Sequence, residues 1–473
     1  MIALWERAQQ FGDRPAIIAA EGTFTYRQLL AASAGVAGRL LNGQPDLHEA
    51  RVAFLVPSGW HYVTTQWGVW RAGGIAVPLC VQHPPPELEY AITDSQASII
   101  VAHPQFEARL RPIAQKLGLR LVLTTEPPLT ATLPDVTPDR RAMMVYTSGT
   151  TNKPKAVVTT HANLEAQVSS LITAWGWTAA DHILHVLPLH HVHGIVNVLM
   201  CALAAGAVCE MLPEFDAEIV WARLASGEVT LFMAVPTIYA RLSANPRPGD
   251  YRAVRLMVSG SAALPVSVLD RWRSLTGHTL LERYGMTETG MILSQPLLGE
   301  RRPGYVGTPL PGVEVKLVGD PAEIWVRGPG VFREYWNKPA ATQAAFRDGW
   351  FLTGDVAVLE NGMYRMLGRS SIDIIKTGGY KVSALEIEEV LREHPAIKEC
   401  AVVGVADVEW GERVCAALVL QAGTALTLDD LRTWAKQRLA TYKVPSRIAV
   451  LDALPRNAMG KVVKPELAKS VFG

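Results

Sequence analysis

The chain has 473 residues, with 45 basic against 44 acidic side chains and a formal net charge of +1. Hydrophobic residues make up 49% and charged residues 19%, a globular composition with enough apolar material for two or three cores and no disordered block. No lysine–arginine run breaks the charge balance and no apolar run reaches the roughly 18 residues of a membrane span, so neither a nucleic-acid partner nor a transmembrane helix is expected.

The N-terminus, Met1-Ile-Ala-Leu-Trp-Glu-Arg7, lacks a basic leader with an apolar core, so no secretion signal is expected. From there to about residue 140, helical patterns alternate with short apolar strands at Arg51–Val56, Ile75–Leu79, Ala97–Ala102 and Leu119–Leu123. Such alternation predicts parallel sheets covered by helices. Val145-Tyr-Thr-Ser-Gly-Thr-Thr-Asn-Lys-Pro-Lys155 then runs from an apolar strand into hydroxyls, a glycine and two lysines, with the turn predicted to begin at Thr147. Hydroxyls at Thr147, Ser148, Thr150 and Thr151, the conformational freedom of Gly149 and the charges of Lys153 and Lys155 suit a polyphosphate. The G-x-x-x-x-G-K-[ST] spacing is absent, which excludes a Walker loop.

Next come His190-His-Val-His193-Gly194, where two histidines one residue apart lack a third ligand at helical spacing, so zinc is set aside. Apolar strands at Thr230–Val235 and Val254–Ser259 end in small or polar residues. Ligands in open α/β sheets sit at the carboxyl ends of strands, which makes Pro236-Thr237 and Gly260-Ser261 pocket candidates. Residues 296–368 change texture to glycine-rich strands and turns, predicting a small antiparallel barrel. A compact α/β unit follows over 372–473, with a helix at Ala384–Glu393, strands at Glu399–Val405 and Val414–Leu420, and a boundary at Gly368-Arg369-Ser370-Ser371. The five cysteines (Cys80, Cys201, Cys209, Cys400, Cys415) are scattered, as expected of packing residues in a reduced, cytoplasmic protein.

Thr-Ser-Gly-Thr-Thr-x-x-Pro-Lys after an apolar strand resembles the phosphate loop of the adenylate-forming acyl-CoA synthetases, with Asn152 and Ala156 where those enzymes usually carry glycine. The resemblance extends over the whole chain in motif order. Glu282-Arg-Tyr-Gly-Met-Thr-Glu-Thr289 resembles the family's Tyr-Gly-x-Thr-Glu motif, which implies Tyr284 on the adenine, Thr287 at the α-phosphate and Glu288 holding Mg2+ against the triphosphate. The Leu-Pro-x-x-His stretch implies that His191 and His193 line the acyl pocket; Gly260 and Ser261 are expected to bind the nucleotide, with Ser261 also at the acid. Trp350-Phe-Leu-Thr-Gly-Asp355 implies a ribose-binding Asp355 partnered by Arg369, with Ser371 as a hinge. Gly378, Gly379 and Tyr380 would line a pantetheine tunnel, and Lys461 of Pro455-Arg-Asn-Ala-Met-Gly-Lys461 would be the adenylation lysine.

By that resemblance the fold is α/β: a large N-terminal adenylation domain (1–368) of helix-covered parallel sheets plus the small barrel, a hinge at 369–371, and a small mobile C-terminal α/β domain (372–473). The substrates would be ATP, coenzyme A and a small acid, with Mg2+, acting in a monomer or homodimer. Within the family the motifs resemble the malonyl-CoA synthetase subfamily, in which Arg283 would pair with the distal carboxylate of malonate or methylmalonate. A synthetase for another short acid, a ligase loading a carrier-protein thiol, and a non-catalytic nucleotide-binding relative stand as alternatives.

Overall fold

The computed structural model describes residues 4–147, 154–457 and 460–473. Two large sheets form its centre. One has seven strands in the order Glu334–Tyr335, Lys155–Thr160, Arg141–Thr147, Ile75–Pro78, Arg51–Leu55, Ile99–Ala102 and Arg120–Leu123. The other has nine, running from Thr308–Pro309 through Gly290–Ser294, Leu281–Met286, Leu256–Ser259, Leu231–Ala234, His182–His185, Val208–Met211 and Pro15–Ala19 to Gly22–Thr25.

Their central strands read as continuous apolar runs because they bury both faces, and neighbouring residues enter different cores. Phe54, Met143, Ile183 and Leu231 face one central core that both sheets share with the helices Tyr26–Leu41, Trp60–Arg71 and His161–Trp175. Leu55 and Met144 face outward under Pro85–Asp94 and Glu107–Leu117. Leu184 and Phe232 face a third core under Ala217–Leu224, Pro236–Ala244 and Val266–Thr276. Helices therefore lie between the sheets and outside both. The capping boxes of Thr25 with Gln28 and Thr160 with Asn163 start two of the central helices directly after strands.

The predicted parallel sheets are parallel in their middles and antiparallel at their margins. Gly22–Thr25, Gly290–Ser294 and Thr308–Pro309 pair antiparallel in the larger sheet, and Lys155–Thr160 pairs antiparallel with Arg141–Thr147 in the smaller. The strand before the phosphate-loop sequence thus continues through Thr147, which pairs with Lys155, one residue beyond the expected end. Ala156, at a position expected to favour glycine, is a fully buried strand residue beside Tyr146. The expected barrel is an open half-barrel of Glu314–Val318, Glu323–Arg327, Phe346–Arg347, Trp350–Glu360 and Met363–Arg369.

Beyond a turn at 370–373, a five-stranded sheet carries cores on both faces: Val402 and Leu418 pack with the helices Ala384–Leu391 and Leu428–Ala435, while Val403 and Cys415 pack with Lys464–Ser470. Lys464 is buried here between Asp373 Oδ1 and Glu388 Oε1, at 2.5 and 2.7 Å. Asp373 Oδ2 also accepts the Arg369 N–H at 2.9 Å. That aspartate ties the turn to the last helix.

Candidate active site

The strand Leu256–Ser259 ends at Gly260-Ser261, beside Arg283 on the neighbouring strand Leu281–Met286. Gly260 lies so close to the Arg283 guanidinium that a Cβ there would sit 2.4 Å from Nε. Ser261 holds a positive φ of 72°, an uncommon conformation for a side-chain-bearing residue that concentrates at functional sites. Arg283 is 4% exposed and its Nε has no hydrogen-bond partner. Burial pushes its pKa down to about 9, with no neighbouring carboxylate to raise it. An arginine locked in an internal salt bridge would have the opposite signature.

From Arg283 a short relay reaches the histidine motif. Arg283 Nη2 lies 3.4 Å from Ser261 Oγ, which lies 3.2 Å from His193 Nδ1. Ser261 Oγ accepts from the guanidinium, and one proton is shared between Oγ and His193 Nδ1, its donor set by the His193 tautomer. His193 Nε2 is buried without a partner among the described residues. Burial, then the Arg283 charge, holds His193 well below the usual histidine range and therefore neutral. His193 opens the stretch His193–Met200, whose wide π-type winding is of the kind found at functional sites. His191 is pushed down to about 3, first by burial and then by the charge of Lys461.

Glu288 is 7% exposed and its Oε1 accepts the Tyr335 hydroxyl at 2.9 Å. Burial raises the Glu288 pKa, and this hydrogen bond is the largest opposing influence. Lys155 Nζ sits 5.2 Å from the centre of the Tyr335 ring. Thr287 is buried next to Glu288. Thr147 and Lys155 face each other at the base of the phosphate-loop sequence, and Ser148, Gly149, Thr150, Thr151, Asn152 and Lys153 lie outside the described residues.

Asp355 joins two further predicted residues. Its Oδ2 accepts the Tyr284 hydroxyl at 2.6 Å and its Oδ1 accepts Arg369 Nε at 2.9 Å. Burial opposes the Arg369 charge, but Asp355 outweighs it and holds the guanidinium above its ordinary value. Lys461 keeps accessible surface, yet protein crowded around its ammonium depresses its pKa. Desolvation leads, Arg369 and Arg283 add to it, and Asp355 opposes. The C-terminal unit thus delivers Lys461 to the charges of the large domain. A second contact across the same seam has the Val266 N–H donating to Glu389 Oε1 at 3.1 Å.

Gly378, Gly379 and Tyr380 do not join this group. Gly378 packs under Trp410, and Tyr380 is 53% exposed and stacked on Tyr442 with ring centres 4.1 Å apart. Ser371 is exposed in the 370–373 turn. Sequence reasoning missed Tyr335 and Glu282. Tyr335 lies in Glu-Tyr-Trp-Asn, which carries no local chemical signal, and its pairing with Val157 decides its place. Glu282 adjoins Arg283 in sequence but alternates to the opposite side of the strand, where Gly304 N–H donates to Oε1 and burial raises the carboxyl to about 8.

Residues 4–336 match the AMP-binding enzyme family, and residues 386–461 match the AMP-binding enzyme C-terminal domain. The chain belongs to the AMP-binding enzyme family. Among family members it is 49% identical to the mitochondrial malonate–CoA ligase ACSF3 of Mus musculus, covering 100% of this chain and 91% of the relative. It is 40% identical to malonate–CoA ligase of Arabidopsis thaliana, over 99% of this chain and 88% of the relative. Its fold matches ATP-bound MatB from Rhodopseudomonas palustris with a TM-score of 0.91 at 32% identity, covering 99% of each chain. Against apo MatB from the same organism, over 99% of this chain and 98% of that one, the TM-score is 0.80, again at 32% identity. The arrangement of the chain is therefore nearer to the ATP-bound form.

Proposed function

We propose that this chain is an AMP-forming malonate–CoA ligase that also accepts methylmalonate. One observation carries the choice of acid: Arg283 is a buried cation in no ion pair with a carboxylate among the described residues. Leaving a guanidinium desolvated and unpaired costs several kcal/mol, so the site stays uncompensated until an anion enters. The distal carboxylate of malonate supplies that anion, and the buried Nε2 of His193, two relay steps away and without a partner among the described residues, is a further polar atom for it.

In the first half-reaction the proximal carboxylate oxygen attacks the α-phosphorus of ATP, the bond to the β-phosphate bridging oxygen breaks, and pyrophosphate leaves. Two anions meet in that step. Lys461 neutralises the growing negative charge, and its depressed pKa reflects the desolvated position such a role needs. Thr147, Ser148, Gly149, Thr150, Thr151 and Lys155 cradle the β- and γ-phosphates, and Thr287 contacts the α-phosphate. Asp355 accepts the ribose hydroxyls with Arg369 and Tyr284 fixing its two oxygens. The Tyr284 ring, anchored by that same hydroxyl, flanks the adenine.

A divalent cation fits beside Glu288, a buried carboxylate in no ion pair among the described residues, and its other ligands would come from phosphate and water. Mg2+ bound there would offset triphosphate charge. In the second half-reaction the coenzyme A thiol, having lost its proton to solvent, attacks the acyl carbonyl and AMP leaves. Gly378, Gly379 and Tyr380, exposed here, are assigned to the pantetheine after residues 372–473 turn about Ser371 on the 1–368 domain. The assigned residues act within one protomer, in a monomer or a homodimer.

The five described cysteines are free and buried, which suits a reducing compartment, and we assign the cytoplasm, although the mammalian relatives are named as mitochondrial. Among the described residues no helix is long and apolar enough to cross a membrane.

Acid-dependent exchange of pyrophosphate into ATP, compared across acetate, malonate, methylmalonate and succinate, tests the reading. Malonate and methylmalonate are expected to drive exchange, and a preference for acetate would overturn the choice of acid. Supplying coenzyme A or a pantetheinylated carrier protein then identifies the acceptor.

A further inference from the structure

Residues 332–336 cross two elements that sequence keeps far apart. On one side, the Phe332 N–H donates to the Glu288 carbonyl at 2.7 Å. On the other, Glu334–Tyr335 pairs with Val157–Val158 of the strand that leaves the phosphate loop, and the Trp336 N–H donates to the Ala156 carbonyl at 2.9 Å. Tyr335 repeats the bridge with its side chain. Its hydroxyl donates to Glu288 Oε1 at 2.9 Å and its ring lies 5.2 Å from Lys155 Nζ. The ring is itself fixed: Tyr335 is 9% exposed, and Phe332 packs on it with ring centres 4.7 Å apart.

Two oppositely charged groups thus share one tyrosine without an ion pair between them among the described residues. A direct Lys155–Glu288 bridge would consume both charges before any ligand arrived. The aromatic ring holds the cation by its face and the hydroxyl holds the anion by one oxygen, so neither contact neutralises a charge that the nucleotide and its cation would use.

We propose that Tyr335 is a positioning residue that keeps Lys155 and Glu288 apart and aimed at the metal-bound triphosphate. This rests on the adenylation reading above. The hydroxyl serves Glu288 and the ring serves Lys155, so the two roles separate by substitution.

Tyr335→Phe keeps the ring and removes the donor; Tyr335→Leu removes both. Calorimetric titration of the full chain with ATP, at graded Mg2+ and with no acid present, reads each role without turnover. For Tyr335→Phe we expect metal-free ATP binding near wild type, an apparent Mg2+ requirement raised about tenfold, and an unchanged Tm, since a hydrogen bond to a charged group is of about that strength. For Tyr335→Leu, metal-free ATP binding weakens as well. In pyrophosphate exchange, Tyr335→Phe lowers kcat at fixed Mg2+ while the KM for malonate stays the same. A Tyr335→Phe protein with wild-type Mg2+ dependence overturns the proposal, as does one whose loss appears only in malonate KM or Tm. If wild-type protein shows no acid-dependent exchange, the adenylation reading fails while the binding titrations still judge Tyr335.

Discussion

The guanidinium of Arg283 rests on the backbone of Gly260, at a separation that a single added methyl group would close to 2.4 Å. The glycine is there for the arginine. Gly260→Ala forces the guanidinium from its seat without removing its charge, and Arg283→Ala removes the charge without moving the backbone. Both are expected to lower kcat/KM for malonate by roughly 10²- to 10³-fold, the usual consequence of breaking one half of a buried pair. Butyrate never used the cation, so activity toward it should fall much less. Equal losses with malonate and butyrate would make Arg283 a structural residue.

Lys461→Ala should abolish pyrophosphate exchange while leaving thioester formation from pre-made malonyl-adenylate largely intact. Removing a group that stabilises developing charge costs on the order of 10²-fold or more. Exchange at a rate near wild type would show that another cation does this work.

The turn at 370–373 is held by N–H donors at Ser370, Ile372 and Asp373, so proline at 371 removes none of those three bonds. It does restrict the backbone there and at the preceding residue. Ser371→Pro is expected to form adenylate at a near-normal rate and to slow transfer to coenzyme A about tenfold or more. Single-turnover measurement of each half-reaction decides; equal slowing of both would point to general damage.

Glu282 gives a pH prediction. Its folded pKa is raised from the carboxylate range to about 8 by burial, with Glu389 from the C-terminal unit adding to the effect. The folded state therefore binds more protons than the unfolded one between those values, and stability falls as pH rises from about 4.5 through about 8. Glutamine keeps the oxygen that accepts the Gly304 N–H. Glu282→Gln should raise Tm at pH 8 by a few degrees and change it little at pH 5. Melting curves at the two values check it, and an equal shift at both would remove the titration from the explanation.

Much of the fold could be read from runs of apolar residues, because Phe54 with Leu55 and Met143 with Met144 each feed two cores and leave no polar face in the strand. The antiparallel margins could not. Lys155–Thr160 carries the same apolar pattern that a parallel strand would, and only its antiparallel pairing with Arg141–Thr147 shows its direction. In the site, Arg283, Glu288, Asp355 and Lys461 were legible through motifs that resemble the family's, since each motif is a local run of sequence. Tyr335 was not, since its chemistry is the product of a strand pairing between distant segments. Glu282 was hidden by its neighbour: one residue of strand separates a carboxyl buried on one side from a guanidinium buried on the other.

Asp355 enters the reaction cycle already engaged, with Tyr284 on one oxygen and Arg369 on the other. A carboxylate accepts about four hydrogen bonds, so two positions are left for the ribose. The rotational freedom of that side chain was surrendered when the chain folded, not when nucleotide arrives. On the proposed assignment each ribose hydroxyl would meet an acceptor that is already still, and a deoxynucleotide would forfeit one bond without loosening the acceptor that remains.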